Sequence, residues 1–333
     1  MNRLYPNCVP VLGKHRVALY DLDQQQFSVL AKTALYGPQD YPGQEFQPKQ
    51  VTGAGWQLLA QHHALLPDAA VAGLPGLQAP PTPAKWESPA TITNAMIEVT
   101  TQNGLREPAA LARLLDMLAE LVCKHLLVRV AAPLSLPAVA ALVQKVEATN
   151  AYSLQLVLPY DEEYYSNEFG DLIIGQAKVM YTVIENSPFD KNIEDRIFFS
   201  RRALALSYAK HEGQFTPNHA LFGESQGHHT YFNRKLYIGP SGELKNALET
   251  PLVCGHLQDV ATTGQLQAIV DQPDFQRYWF AHKEVCTVCR DCEYRHMCVD
   301  NRVPEQAADG SWFHQQACNY DPYTAQWQPT GNG

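Results

Sequence analysis

Apolar residues change their spacing several times along the chain, and each change predicts an element. Near the N-terminus, CVPVLG and HRVALYDLDQQQFSVL are rich in Val, Leu, Tyr and Phe, break at Gly13, and predict two strands. After the polar run GPQDYPGQEFQPKQ, the stretch VTGAGWQLLAQHHALL predicts a helix with Trp56, Leu58, Leu59 and Leu65 on its apolar side. Strands plus a short helix within residues 1–65 suit a small winged-helix-like module, or a β-rich cap on the next domain. Residues 66–90 carry six prolines and two glycines, a linker composition, with Trp86 placed to anchor its far end.

From residue 91 to 225 the pattern alternates. TNAMIEVT, LLVRV and SLQLVLP are short apolar strands, and KVMYTVIEN and DRIFFS are further candidates. Between them, Leu111, Leu114, Leu115, Leu118 and Leu121 or Val122 recur at helical spacing, with Pro108 at the start, where proline is tolerated. Val139, Leu142, Val143 and Val146 repeat the pattern. Strand–helix–strand repetition predicts a parallel sheet with helical crossovers, and a partial (β/α) barrel fits it. Residues 226–333 are turn-rich, with RKLYIGPSGELKN predicting a hairpin whose tip holds Gly239, Pro240 and Gly242. The fold class is therefore α/β, with a cysteine-rich C-terminal region.

Charge and composition narrow the partners. Only 25 of 333 residues are Lys or Arg and the formal net charge is −9, so the clustered positive charge that binds nucleic acid is missing. The opening MNRLYPNCVPVLGKHRV has no apolar core of signal-peptide length, and no stretch reaches the roughly twenty apolar residues that span a bilayer. The expectation is a cytoplasmic protein without a membrane partner, where cysteines stay reduced and a dense group of them binds metal.

Four of the eight cysteines fall between Cys286 and Cys298. Cys289 and Cys292 form C-x2-C, Cys298 follows after five residues, and Cys318 lies further on. A tight C-x2-C turn aims two sulfurs at one point. Cys289, Cys292, Cys298 and Cys318 are thus candidate ligands for either a tetrahedral zinc or a [4Fe–4S] cluster, and spacing does not separate the two. Cys286 is spare.

CRDCEYRHMCVDNR, the Cys318 segment CNYDPYTAQW and the preceding FNRKLYIGPSGELKN resemble the C-terminal SPASM domain of peptide-modifying enzymes, closest to the SPASM-domain peptide maturases of grasp-with-spasm systems. YPNCVPVLGKHRVALYDLDQQQFSVL is similar to that family's opening, and SPATITNAMIEV to its first barrel strand. The resemblance implies an iron–sulfur cluster in preference to zinc, on Cys289, Cys292, Cys298 and Cys318. It also implies a barrel of radical-SAM type, a precursor-peptide leader and a partner ATP-grasp ligase. The family's other auxiliary cluster is expected to be absent, because its cysteine places read Glu212, Tyr231, Ala247 and Asn301. The C-x3-C-x2-C loop that binds S-adenosylmethionine is missing too: TTQNGLREPAA follows the first barrel strand, and Cys8, Cys123 and Cys254 are too dispersed to replace it. No radical chemistry and no S-adenosylmethionine are expected.

Weaker patterns have bland readings beside the functional ones. DEEYY (161–165) reads as a solvated helix start rather than a catalytic carboxylate pair. His228 and His229 read as exposed loop residues, His62 and His63 as surface or interface residues, and Glu293 with Arg295 as a charged pair bracing the cysteine loop. Neither a phosphate-binding glycine loop nor a G-x-S-x-G elbow is present, so any ATP chemistry would belong to a partner. Three functions follow as expectations. The first is an accessory that captures a leader by strand addition at an edge strand around Val17–Asp21 and presents the peptide to the ligase, its cluster acting as a staple. The second is a non-radical peptide-modifying enzyme using acidic residues near 161–171. The third is a zinc-bearing structural protein.

Overall fold

A computed structural model describes residues 4–38, 41, 43–65, 86–204 and 212–328. The proline-rich stretch 66–90 lies outside the described residues except for 86–90. The fold is mixed α/β, and the chain forms two compact units. Unit 1 takes Met1–Glu87, Tyr208–Tyr231 and Tyr278–Gly333; unit 2 takes Ser88–Ser207 and Phe232–Arg277.

Unit 1 opens with three strands: β1 (Cys8–Leu12), β2 (Arg16–Asp21) and β3 (Gln26–Ala31), in the antiparallel order β1-β2-β3. The sequence predicted two strands here. The second apolar stretch splits because the Asp21 carboxylate accepts the backbone N–H groups of Asp23 and Gln24, and Gln25 takes φ 56. Helices α1 (Lys32–Tyr36) and α2 (Gly53–Gln61) follow. Thr52 caps α2, its hydroxyl accepting from Gly55 N at 3.0 Å. Helix α2 ends before Leu65, which instead bridges Leu4, and His63 at φ 55 marks the exit. Leu12, Val17, Leu19 and Leu30 of the sheet pack with Leu35 and Leu59 of these helices.

Unit 2 is built on a nine-stranded mixed sheet. Its elements are β4 (Asn94–Val99), α3 (Pro108–Glu120), β5 (His125–Val130), α4 (Leu136–Glu147), β6 (Ser153–Pro159), α5 (Asn167–Ile174), β7 (Val179–Glu185), β8 (Lys191–Ile193) and β9 (Ile197–Phe199). After the excursion into unit 1 come β10 (Lys235–Ile238), β11 (Glu243–Lys245), β12 (Gly255–His256), α7 (Thr263–Val270) and α8 (Pro273–Gln276). The order is β12-β11-β10-β4-β5-β6-β7-β9-β8, and the run from β10 to β9 is parallel. The expected hairpin forms between β10 and β11. Its first strand also pairs in parallel with β4, so residues 232–277, grouped by composition with the C-terminal region, pack with the sheet.

Alternation along the parallel strands explains the layering. Ala95, Ile97 and Val99, with Leu126, Val128 and Val130, and Leu154, Leu156 and Leu158, are buried on one face. Val99 lines a cleft there with Leu111 and Leu115 of α3 and Leu142 of α4, so this face meets the crossover helices. The other face carries Glu98, Arg129 and Glu185 toward the carboxyl ends of their strands.

The rest of unit 1 is helix α6 (His219–Ser225) and two small hairpins, β13 (Glu305–Gln306) with β14 (Trp312–Phe313) and β15 (Tyr320–Asp321) with β16 (Gln326–Trp327). Trp86 packs against α6, where a Cβ on Gly223 would meet its ring at 3.1 Å. Among the described residues no helix is long and apolar enough to cross a membrane.

Candidate metal centre

The cysteine segment has little regular structure to hold it. Cys289–Asp291 make one 3-10 turn, and Cys292 N donates to Cys289 O at 3.0 Å, which closes the C-x2-C. Val288, just before it, sits at φ 68, a conformation that a β-branched residue rarely adopts and that the surrounding structure must impose. Cys318 lies two residues before β15. Cys289, Cys292, Cys298 and Cys318 all line one cavity of about 420 Å³, its open mouth included. Backbone N–H groups donate to two of the sulfurs, Tyr294 N to Cys292 Sγ and Tyr320 N to Cys318 Sγ, each at 3.4 Å. Cys286 does not line the cavity. Its side chain is 0% exposed and its thiol donates to Ala281 O at 3.6 Å.

Burial pushes the Cys298 thiol up to about 12 and raises Cys289 and Cys292 as well, with Lys283 opposing the rise at Cys289 and Cys298. Three cations, Lys283, Arg295 and Arg302, line the same cavity. Lys283 Nζ reaches Asp300 Oδ2 at 2.5 Å, with side-chain exposures of 3% and 1%. Arg302 forks onto both oxygens of Asp300, at 2.9 and 2.6 Å. Burial works against the Lys283 charge, but Asp300 holds the ammonium above its ordinary value; Lys283 and Arg302 together hold Asp300 well below the usual carboxylate range despite its burial. Burial and Lys283 lower His314, beside Asp300, to about 3, so its imidazole is neutral.

Cys289, Asp300 and His314 bring potential ligand atoms within 4.8 Å of one another, the one such group among the described residues. Asp300 is already saturated by two cations, so a metal ion there would first meet an ammonium and a guanidinium. The group is a charge network beside the cysteines. Four soft sulfur donors, two N–H donors to sulfur and a positive lining fit a thiolate-bound centre, whether a tetrahedral zinc or an iron–sulfur cluster.

The other candidates fall out differently. Glu293 and Arg295 do not pair with each other. Glu293 Oε1 accepts from the Tyr320 hydroxyl at 2.5 Å, while Arg295 donates to Leu12 O at 2.8 Å and Cys292 O at 3.1 Å and lies 3.7 Å from Glu284. Each braces the loop on a separate side. His229 is 0% exposed, not a loop-surface residue, and its backbone N–H donates to Trp279 O at 2.7 Å; His62 and His63 are exposed. Residues 161–171 do not gather into a site. Asp161 caps a 3-10 turn through Glu163 N, and Glu162, Glu163, Glu168 and Asp171 face solvent. Of the positions matched to the second set of cysteines, Glu212 accepts from the Tyr294 hydroxyl at 2.9 Å, Tyr231 N donates to His229 Nδ1, and Ala247 and Asn301 are buried.

Sequence reasoning missed the Lys283–Asp300–Arg302–His314 network, for which spacing gives no rule. It also missed Glu98, Arg129 and Glu185, whose only signal was charge at the ends of apolar strands. Arg129 and Glu185 pair at 2.5 Å, and burial raises Glu98 beside them.

The N-terminal sheet closes tightly on the cysteine loop. A Cβ on Gly13 would lie 2.8 Å from Glu293 N and 3.2 Å from Asp291 O, both backbone atoms that cannot step aside. Gly13→Val is expected to destabilise unit 1 by about 1–3 kcal/mol, as overpacking does. Urea unfolding followed by tryptophan fluorescence checks this, and an unchanged midpoint would contradict the close approach.

No family model, no curated protein and no solved structure matches the chain.

Proposed function

We propose that the chain is a maturation factor for a ribosomally synthesised peptide: it binds the precursor's leader, works with an ATP-grasp ligase, and carries a single [4Fe–4S] cluster on Cys289, Cys292, Cys298 and Cys318 in a structural role. In this reading residues 1–65 are the winged-helix-like recognition element, unit 2 is a partial barrel of radical-SAM type, and the cysteine-rich part of unit 1 is SPASM-like. The observation that carries it is that the four cysteines, dispersed over thirty residues of sequence, line one cavity. The loop after β4 holds no cysteine, which supports a factor without radical chemistry. When bound, such a cluster crosslinks its four thiolates and can pass single electrons. The chain's own residues supply the N–H donors and the positive lining.

The site of strand addition needs correction. Val17–Asp21 lies in β2, which is paired on both sides and has no free edge. Among the described residues the outer edges belong to β1 and β3. β1 contains Pro10, which has no N–H to donate, so β3, Gln26–Ala31, offers the fuller ladder to an incoming strand.

Anaerobic purification tests the centre. A brown protein absorbing near 400 nm with matching iron and sulfide is expected; a colourless, zinc-loaded protein would replace the cluster with the structural-zinc reading. Isothermal titration of the full chain with a synthetic leader from the neighbouring precursor gene tests recognition, and absence of heat would remove that role. The Glu98, Arg129 and Glu185 group keeps a second reading open, a non-radical enzyme acting on the peptide. A mass change in precursor co-expressed with this protein alone would favour it.

A further inference from the structure

We propose that the metal centre is the clamp that holds the N-terminal sheet in place, so that recognition by this sheet is conditional on an intact centre. The inference rests on the reading of the cysteine quartet as a metal site and extends it to regulation.

The N-terminal sheet and the cysteines lie more than 250 residues apart in sequence yet share one core. Val11, Ala18, Tyr20 and Leu22 are buried with Tyr294, Met297 and Tyr320, and Cys292, Cys298 and Cys318 pack against this cluster. Hydrogen bonds tie the same two parts. The Tyr20 hydroxyl donates to Glu293 O at 2.7 Å, Lys14 N donates to Asp291 O at 2.7 Å, and Arg295 donates to Leu12 O at 2.8 Å. Gln44 adds a bond to the Asp291 carboxylate at 2.7 Å. Every hydrogen-bond partner on the cysteine side falls between Cys289 and Cys298, a segment with one short 3-10 turn as its regular structure, which a bound centre would tie at Cys289, Cys292 and Cys298.

Two consequences follow. First, a three-stranded sheet packed on one face alone is marginal, and here the second face is covered by Tyr294, Met297 and Tyr320 from the cysteine side together with Phe215 and Phe222. Losing the centre therefore frees the loop and strips the Tyr294, Met297 and Tyr320 part of that cover from β1, β2 and β3. Secondly, the coupling is reciprocal: whatever fixes the sheet also favours the ligated loop, by the same free energy. A chain that has lost its cluster to oxygen or iron shortage would then stop engaging its peptide partner instead of sequestering it.

Hydrogen exchange on the full chain under anaerobic conditions tests this, comparing centre-loaded protein with protein stripped by a chelator. Exchange across residues 8–31 is expected to speed up about tenfold or more on stripping, while residues 126–158 of unit 2 keep their protection. Unchanged protection of 8–31 in protein whose metal is gone overturns the coupling. Should stripping unfold the whole chain, loaded Tyr20→Phe decides: it removes the bond to Glu293 O without touching a cysteine. Full iron content with several-fold faster exchange in 8–31 supports the clamp, and full iron content with wild-type exchange overturns it. Protein that never carries iron or zinc, yet protects 8–31, removes the centre itself, a result distinct from failure of the coupling alone.

Discussion

Asp300→Ala is expected to destabilise unit 1 by about 3–5 kcal/mol, the usual cost of leaving buried charge without its counter-ion. The carboxylate is 1% exposed and answers two cations at once, Lys283 at 2.5 Å and the Arg302 fork at 2.6 and 2.9 Å. Its removal leaves an ammonium and a guanidinium facing each other across a methyl group. Lys283→Met removes one cation and leaves the bidentate Arg302–Asp300 pair intact, so its cost is expected to be clearly smaller. The metal centre enters the comparison through its sign. Four thiolates around the bound group supply negative charge to the same cavity, so the Asp300→Ala penalty should shrink in the loaded protein and be largest after stripping. Differential scanning calorimetry of both variants in both states checks the order. An Asp300→Ala variant within about 1 kcal/mol of wild type, or one hurt more when loaded, would contradict the charge network as described.

How much of this was legible in the chain depends on whether the signal is local. Helices α3 and α4 were readable because Leu111, Leu114, Leu115 and Leu118, and Val139, Leu142, Val143 and Val146, repeat at helical spacing, and all of them are buried. The α/β class followed from strands alternating with those helices. What could not be read was pairing over distance. β10 returns to lie parallel to β4, and the N-terminal sheet closes on a loop near the other end of the chain, because burial is satisfied by partners that no window of sequence contains. The same limit explains His229: glycine nearby suggested an exposed loop, while the residue is buried and its backbone N–H donates to Trp279 O, fifty residues on. Local turn chemistry was readable in principle but overlooked at Asp21, whose side chain breaks a run of strand-like residues into β2 and β3. At the site the quartet was visible because metal ligation imposes spacing on cysteine. Lys283, Asp300 and His314 obey no such rule. Each is a single polar residue among many, singled out only by what surrounds it.

Cys298→Ser is expected to abolish the centre, and Cys286→Ser to leave it intact. Both residues are free cysteines within one short segment, Cys286 buried and Cys298 half-buried, so composition treats them alike; geometry does not. Cys298 lines the cavity with three other sulfurs and with Lys283, whereas Cys286 turns away to Ala281 O. A serine oxygen is a harder donor than thiolate and stays protonated far more readily, so one missing sulfur weakens retention of iron at least about tenfold. At position 286 a hydroxyl can keep the bond to Ala281 O, and the expected cost is about 1 kcal/mol of stability with wild-type iron content. Iron and sulfide analysis of anaerobically purified variants, with the absorbance near 400 nm as a second readout, separates the two. If Cys286→Ser lost the cluster while Cys298→Ser retained it, the ligand set would be Cys286, Cys289, Cys292 and Cys318. The loop from Cys292 to Cys298 would then no longer be tied at its far end, and the hydrogen bonds from Tyr20 and Arg295 would have to order it without help.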